Sequence, residues 1–554
     1  MTIAETADLW WKNAVIYCLD VQTFCDSDGD GIGDFAGLTS KVDYLAGLGV
    51  TCIWLMPFYP TADADDGYDV TEHYGIDPRL GTFGDFTDFV HTARDRGMRV
   101  IVDLVVNHTS DQHRWFQQAR RSRESRYREF YVWQDEIPAD GPQGETFPGR
   151  QGGLWTWDSA AQQYYLHRFY KEQPDLNVAS AMVRREIRKV VGFWLAQHLA
   201  GFRVDAVPFL LEVEGSAEKM EVGPHEYLRD LRAFLGRRSG EAVLLGEVNL
   251  LADDQRRYFG DEDGDELHLV FDFLLMQATH LALARRDAEP IRTALRERRP
   301  IPAEGAWATF LRNHDELTLD KLTEAERAEV FAAFGPDPHM QLYGRGLRRR
   351  LPTMLDGDQR RIRMAYGLMF ALPGTPTLFY GEEIGMAENL AIEDRLAVRT
   401  PMQWSAGPTA GFSAAPPDGL SRPLPTDERF GPDAVNVQAQ RTDPDSLLNW
   451  FERLIRLRKE LPEVGWGDCT VLDVGASEVL ALRHEWAGRV LVTLHNLAGR
   501  AVTAHLDAGD VGTGLQLSDL LQADSVVRPR GGQLRVALHA YGQRWFHADA
   551  RSTR

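Results

Sequence analysis

The chain has 554 residues, with 61 Lys and Arg against 82 Asp and Glu, for a formal charge of −21. That length holds several units of roughly 150 residues, or one α/β barrel of about 250 with additions. The acidic balance excludes a phosphate-backbone binder, which needs clustered basic charge, and disfavours an anionic membrane surface.

The segment Met1–Trp11 has no apolar signal-peptide core, and no apolar run reaches the ~18 residues of a membrane span. Cys18, Cys25, Cys52 and Cys469 are too few for a disulfide framework and form no C-x-x-C pair, so reduced thiols and a cytoplasmic location are expected.

Short apolar runs rich in β-branched residues recur along the chain. They are Val15–Leu19, Cys52–Leu55, Val100–Val106, Gly201–Val204, Ala242–Gly246, Leu267–Phe273, Trp307–Leu311 and Thr377–Tyr380. Helical patterns follow several of them, at Asp85–Arg96, Val183–His198 and Glu226–Leu235. Alternation of this kind predicts a parallel sheet covered on both faces, and eight units predict a closed (β/α)8 barrel, a TIM barrel. The spacing is uneven, so residues 108–178 read as a small inserted domain after the third strand, with a strand pattern at Tyr164–Phe169. The barrel then occupies 1–107 and 179–464, with a Pro-, Gly- and Asp-rich loop subdomain over about 382–444. A helix is expected at Leu447–Leu461. From 465 to 554 short alternating strands (Val471–Val474, Val479–Arg483, Val490–Leu494) predict a C-terminal antiparallel β-sandwich domain.

Barrels place their chemistry at the C-terminal ends of strands. There the chain reads Asp103-Leu-Val-Val-Asn107-His108, Arg203-Val-Asp205-Ala206, Gly246-Glu247 and Arg312-Asn313-His314-Asp315. Taken singly, each polar residue is a cap or turn residue. Taken together, Asp205, Glu247 and Asp315 end three different strands, flanked by His108, His314 and Arg203, which capping does not explain. Converging acids without a phosphate loop point to glycoside chemistry, in which one carboxylate attacks the anomeric carbon and a second acid protonates the leaving oxygen. Arg203, two residues before Asp205, shares its face and is expected to keep it ionised. The acid needs a raised pKa, which burial and a neighbouring carboxylate supply.

These four segments resemble the signature regions of the α-amylase family of retaining glycosidases and transglycosidases (glycoside hydrolase family 13). Gln173-Pro-Asp-Leu-Asn177 resembles the oligo-1,6-glucosidase-like branch, and Asp66-Gly-Tyr-Asp69 and Arg399-Thr-Pro-Met-Gln-Trp404 extend the likeness. Phe58-Tyr-Pro60, the run Asp205–Glu212 and the run Phe310–Thr318 are similar to trehalose synthases. The resemblance implies Asp205 as nucleophile, Glu247 as general acid/base, and Asp315 as ligand of the sugar 2- and 3-hydroxyls. It implies that His108 and His314 donate to the same glucose, that Tyr68 stacks on it, and that Asp65 and Arg399 close the blind end of the pocket. The implied activity is isomerisation of maltose and trehalose; the alternative is an α-glucosidase or transglucosidase on other small α-glucosides. Ala206 after the nucleophile, where a bulkier Val goes with α-1,6 substrates, favours α-1,4 linkage. The expected partner is a small α-glucoside, with no nucleic acid and no membrane, and self-association is left open. The text departs from trehalose synthases at Leu250, Leu251, Leu396 and Ala397, all expected on the acceptor side.

Asp26-Ser-Asp28-Gly-Asp30-Gly31-Ile32-Gly-Asp34 has oxygen ligands at alternating positions and glycine at the sixth, most of a calcium loop without its closing Glu. The resemblance implies structural Ca2+ on Asp26, Asp28, Asp30, Asp34 and the Ile32 carbonyl. A second ion is implied at Asn107, Asp175 and Glu212.

Overall fold

The structure is a computed structural model and describes residues 9–138, 144–211, 224–261, 264–512, 515–522 and 525–550. Eight parallel strands close a barrel: β1 (Ile16–Leu19), β2 (Cys52–Leu55), β3 (Arg99–Leu104), β4 (Gly201–Val204), β5 (Val243–Gly246), β6 (Leu269–Phe271), β7 (Ala306–Thr309) and β8 (Thr375–Phe379). Nearly every strand residue is buried. That is why these strands read as continuous apolar runs: both faces of a parallel sheet are covered. In β4, Gly201 sits at φ +142°, and a Cβ there would lie 2.2 Å from the Val243 carbonyl oxygen, so only glycine lets β4 close on β5.

The helices form where an amphipathic stretch follows a good cap. Thr82 and Asp85 make a reciprocal capping box for Phe83–Asp95, and Ser180 caps Ala181–Leu195, whose Val183, Ile187, Val190, Val191 and Trp194 are buried. These two helices and Pro224–Arg238 lie within about three residues of the predicted ones. The stretch between β3 and β4 holds a three-stranded antiparallel sheet of Trp133–Gln134, Trp155–Asp158 and Gln163–Leu166. Its isolated bridges His108–Asp175 and Tyr131–Leu176 tie it to the end of β3.

After helix Leu447–Lys459 come a six-stranded and a two-stranded antiparallel sheet. They enclose a core of their own around Val479, Val492, Leu506, Val536 and Phe546. One element had no sequence signal: a small sheet of Leu317–Thr318, Gln341–Leu342 and Gly346–Leu347, which stands over the mouth of β7. Among the described residues, no helix is long and apolar enough to cross a membrane.

Candidate active site

Asp103 on β3 and Arg203 on β4 are in register. Arg203 is 1% exposed and is the hub of the site. Its Nη1 donates to Asp103 Oδ1 at 2.5 Å and to Asp205 Oδ1 at 2.6 Å, and its Nη2 donates to Glu247 Oε2 at 2.7 Å. Asp103 Oδ2 also accepts from Trp54 Nε1 at 2.8 Å. Ala206 adopts φ +47°, a left-handed conformation rare outside glycine, and its N–H donates to Glu247 Oε2 at 3.2 Å. One guanidinium thus holds both carboxyl groups named as nucleophile and acid.

Asp315 is reached from three directions. His314 Nε2 lies 2.9 Å from Oδ2, while Arg395 Nη1 and Arg399 Nη2 each donate to Oδ1 at 2.9 Å. Burial would raise the Asp315 pKa, but His314, Arg395 and Arg399 hold it well below the usual range. Tyr68 stacks on His314 at 5.7 Å, and its hydroxyl lies 2.7 Å from Nε2. His108 Nε2 lies 3.1 Å from the Tyr68 carbonyl. Burial holds His108 and His314 near 4, so both are neutral at ordinary pH.

At the blind end the carboxylates are paired with arginines. Arg399 pairs with Asp66, and Asp65 pairs with Arg395 and accepts from Gln173 Nε2 at 2.9 Å. Arg422 joins Asp66 from the loop that follows, so two arginines neutralise it. Asp65 and Arg399 thus stand at this end in two parallel pairs, Asp65–Arg395 and Asp66–Arg399. The loop that carries Asp65 and Tyr68 is fixed by Asp69, whose carboxylate accepts from Thr61 Oγ1 (2.7 Å), Asp65 N (3.0 Å), Ala62 N and Ala64 N (both 3.1 Å).

Electrostatics around Asp205 refine the sequence reading. Burial outweighs Arg203 and raises Asp205 to about 6. Burial likewise raises Glu247 to about 7, against Arg203 and with help from Asp205 and Asp315. The order survives, with Asp205 ionising first.

Six of the site residues expected from sequence line a cavity of about 600 Å3, while Arg203, His314 and Arg399 are buried and not among its lining residues. Asp65, Tyr68, His108, Asp205, Glu247 and Asp315 face it; Arg395, Asn249, Asp320 and Lys321 are cavity residues that sequence reasoning did not name as site residues. Their roles depend on partners far away in the chain, so neither periodicity nor strand ends reveal them. Phe147, from the inserted segment, roofs the cavity, with Tyr343 at 5.3 Å and the Arg395 guanidinium at 5.0 Å. Arg345 Nη2 donates to the Thr146 carbonyl at 2.7 Å, and Arg150 pairs with Asp394 at 2.8 Å. Of the four apolar departures, Leu250 faces the cavity, Leu251 faces outward and Ala397 is fully buried.

In the acidic loop, ligand oxygens of Asp26, Asp28 and Asp34 lie within 4.8 Å of one another. Asp30 is not in that group; its Oδ1 accepts from the Ile32 N–H at 2.8 Å. Asn107 and Asp175 do approach, at 3.5 Å, but Arg168 Nε lies 3.6 Å from Asp175 Oδ2, and Glu212 lies outside the described residues.

The chain matches the α-amylase catalytic-domain family over residues 19–332 and 348–467. It is 44% identical over 492 residues to a trehalose synthase of Thermus thermophilus, covering 88% of this chain and 50% of that protein, so it spans half of that relative's length. It is 40% identical over 525 residues to a trehalose synthase of Pimelobacter sp. (strain R48), covering 92% and 91%. Among solved structures, the trehalose-6-phosphate hydrolase of Bacillus licheniformis superposes with a TM-score of 0.78 at 26% identity, over 98% of this chain and 100% of that one. The chain belongs to the α-amylase family of glycoside hydrolases.

Proposed function

We propose that the chain is a retaining α-glucosyl-transferring enzyme that isomerises maltose and trehalose by double displacement. The observation that carries this reading is the Arg203 guanidinium shared between Asp205 and Glu247, opposite Asp315, in a roofed cavity. Asp205 attacks C1 of the non-reducing glucose while Glu247 protonates the glycosidic oxygen, and the C1–oxygen bond breaks. The second glucose stays in the cavity. Its anomeric hydroxyl gives a proton to Glu247 and attacks C1, releasing Asp205 and forming trehalose. Attack by its 4-hydroxyl restores maltose, and attack by water gives glucose.

Isomerisation needs the freed sugar held and water kept out. The roof formed by Phe147, Tyr343 and the Arg345–Thr146 bond supports both requirements. The two aspartate–arginine pairs stand at the blind end, which fits an exo-acting enzyme on short substrates. The trehalose synthase relatives at 40–44% identity favour isomerisation over plain hydrolysis.

Asp26, Asp28 and Asp34 fit a Ca2+ ion, being hard oxygen donors clustered in a turn. There the ion would supply structural cross-linking only. The same loop is already tied to the segment over the barrel mouth, through Asp26 N–H to Phe412 O at 2.9 Å and Ser421 N–H to Gly31 O at 2.8 Å. A second ion at Asp175 is not part of the proposal, since Arg168 already supplies a cation there.

Maltose incubated with isotopically labelled free glucose tests the retention step. Retention predicts trehalose carrying almost no label. Trehalose labelled at the proportion of the free pool would mean that glucose leaves the cavity before transfer.

A further inference from the structure

A second cavity of about 440 Å3 lies between the helices Phe273–Arg285 and Glu289–Glu297. Leu274, Leu275, Ala278 and Leu281 give it an apolar wall, and charged residues such as Arg285, Glu289 and Arg298 stand around it. At three places, consecutive residues divide between this cavity and the catalytic one: Leu250 and Leu251, Phe273 and Leu274, Lys321 and Leu322. The same short stretches of chain therefore line both cavities. They stand on the side where Asn249, Leu250 and Lys321 line the catalytic cavity, the side the leaving sugar would occupy.

Leu251 marks the rim. It is 64% exposed, the highest value among the exposed large apolar side chains of the described residues. Most charges around the groove are matched, Glu297 being the exception among the described residues. Arg298 pairs with Asp272, and Arg285 pairs with Glu329 at 2.8 Å and Glu326 at 3.7 Å. A hollow with a largely apolar floor and most of its rim charges paired suits a neutral apolar occupant rather than an ion.

We infer that this groove extends the acceptor side of the catalytic cavity, so that the enzyme binds α-glucosides of long-chain alcohols and transfers glucose to such alcohols. The transfer step rests on the glucosyl-transfer reading above. In it, the ester bond between Asp205 and C1 breaks, the alcohol oxygen bonds to C1, and the hydroxyl proton passes to the Glu247 carboxylate. Maltose supplies the glucosyl group, and the alcohol takes the acceptor place in the minority of turnovers in which the freed glucose leaves as co-product. The alkyl tail passes the Leu250–Leu251 rim and lies in the groove, where each buried methylene adds about fourfold in affinity.

The test is calorimetric titration of the full-length Asp205→Asn chain with n-octyl and methyl α-D-glucopyranoside, below the micelle threshold, with n-octyl β-D-glucopyranoside as control. The expected result is octyl α-glucoside binding at least about 50-fold tighter than the methyl compound, and much tighter than its β-anomer. Adding Leu251→Asp or Ala278→Phe should cut that advantage below tenfold while methyl α-glucoside binding is unchanged. In the chain that retains Asp205, neither substitution should alter maltose turnover. Because Leu251 is a surface side chain, its variant keeps the test valid if the Ala278 variant fails to fold. An advantage under fivefold, an advantage indifferent to both substitutions, or equal binding of the β-anomer would overturn the groove. Intact maltose turnover alongside any of these would leave the glucosyl-transfer reading standing. No methyl α-glucoside binding together with no maltose turnover would sink both.

Discussion

Arg203 donates to three carboxylates at once while burial raises all three, and the proposed chemistry depends on the order in which two of them titrate. With Asp205 near 6 and Glu247 near 7, the form competent for the proposed double displacement has Asp205 ionised and Glu247 protonated. The two interact, so the apparent values belong to the pair. kcat/KM should therefore follow a bell. It falls below about 6 as Asp205 takes up a proton and loses its nucleophilicity, and above about 7 as Glu247 loses the proton it must donate. A flat profile from pH 5 to 9 would contradict the assignment. Glu247→Gln should lower kcat/KM on maltose by about 10²–10⁴. The loss should be far smaller on a nitrophenyl α-glucoside, whose leaving group needs no proton. Equal losses on both substrates would mean that Glu247 is not the acid. Asp205, Glu247 and Asp315 were legible because strand ends announce themselves in sequence. Asp103 and Arg395 were not, since each is defined by a partner brought close only by folding: Arg203, 100 residues away from Asp103, and Asp65, 330 residues from Arg395.

At the scale of elements, the loop between Thr61 and Asp69 shows how local bonding positions chemistry. Asp69 is fully buried and gathers one hydroxyl and three backbone N–H groups, which fixes the turn that presents Asp65 and Tyr68. Asp69→Ala leaves those donors without an acceptor. It should cost about 3 kcal/mol of stability and raise KM for maltose at least severalfold, as read by denaturant unfolding and steady-state kinetics. Unchanged KM with unchanged stability would show that the turn holds itself. The strands and long helices were legible from unbroken apolar runs, capping residues and helical periodicity. The sheet at 317–347 was not, because two-residue strands carry no period. In the acidic loop, alternation gave the right residue types, but a single Asx turn carries Asp30 out of the Asp26–Asp28–Asp34 group. At Asp205 the net pKa shift was not legible, because burial cannot be weighed against one arginine from sequence alone.

For the whole molecule, most of the 82 acidic residues contribute to the net charge of −21, and only a few converge on one chemistry. The Asp26–Asp34 loop couples the first strand region to the segment near 412–421 that covers the barrel mouth. A bound ion there would stabilise the folded state by RT ln(1 + [Ca2+]/Kd), about 2.7 kcal/mol at a hundred times Kd. Chelation should therefore lower Tm by a few degrees, reversibly with Ca2+, and leave kcat at 25 °C unchanged. No bound calcium after dialysis, with the same Tm, would reject the site.

The central claim is that the glucosyl group passes back to the sugar it came from. Following maltose alone with the enzyme by NMR until the signals stop changing tests it most directly. The account predicts trehalose as the main product, its signals growing as maltose falls, with glucose a minor species, and the same mixture approached from trehalose. Glucose accumulating with no trehalose at any time would contradict it.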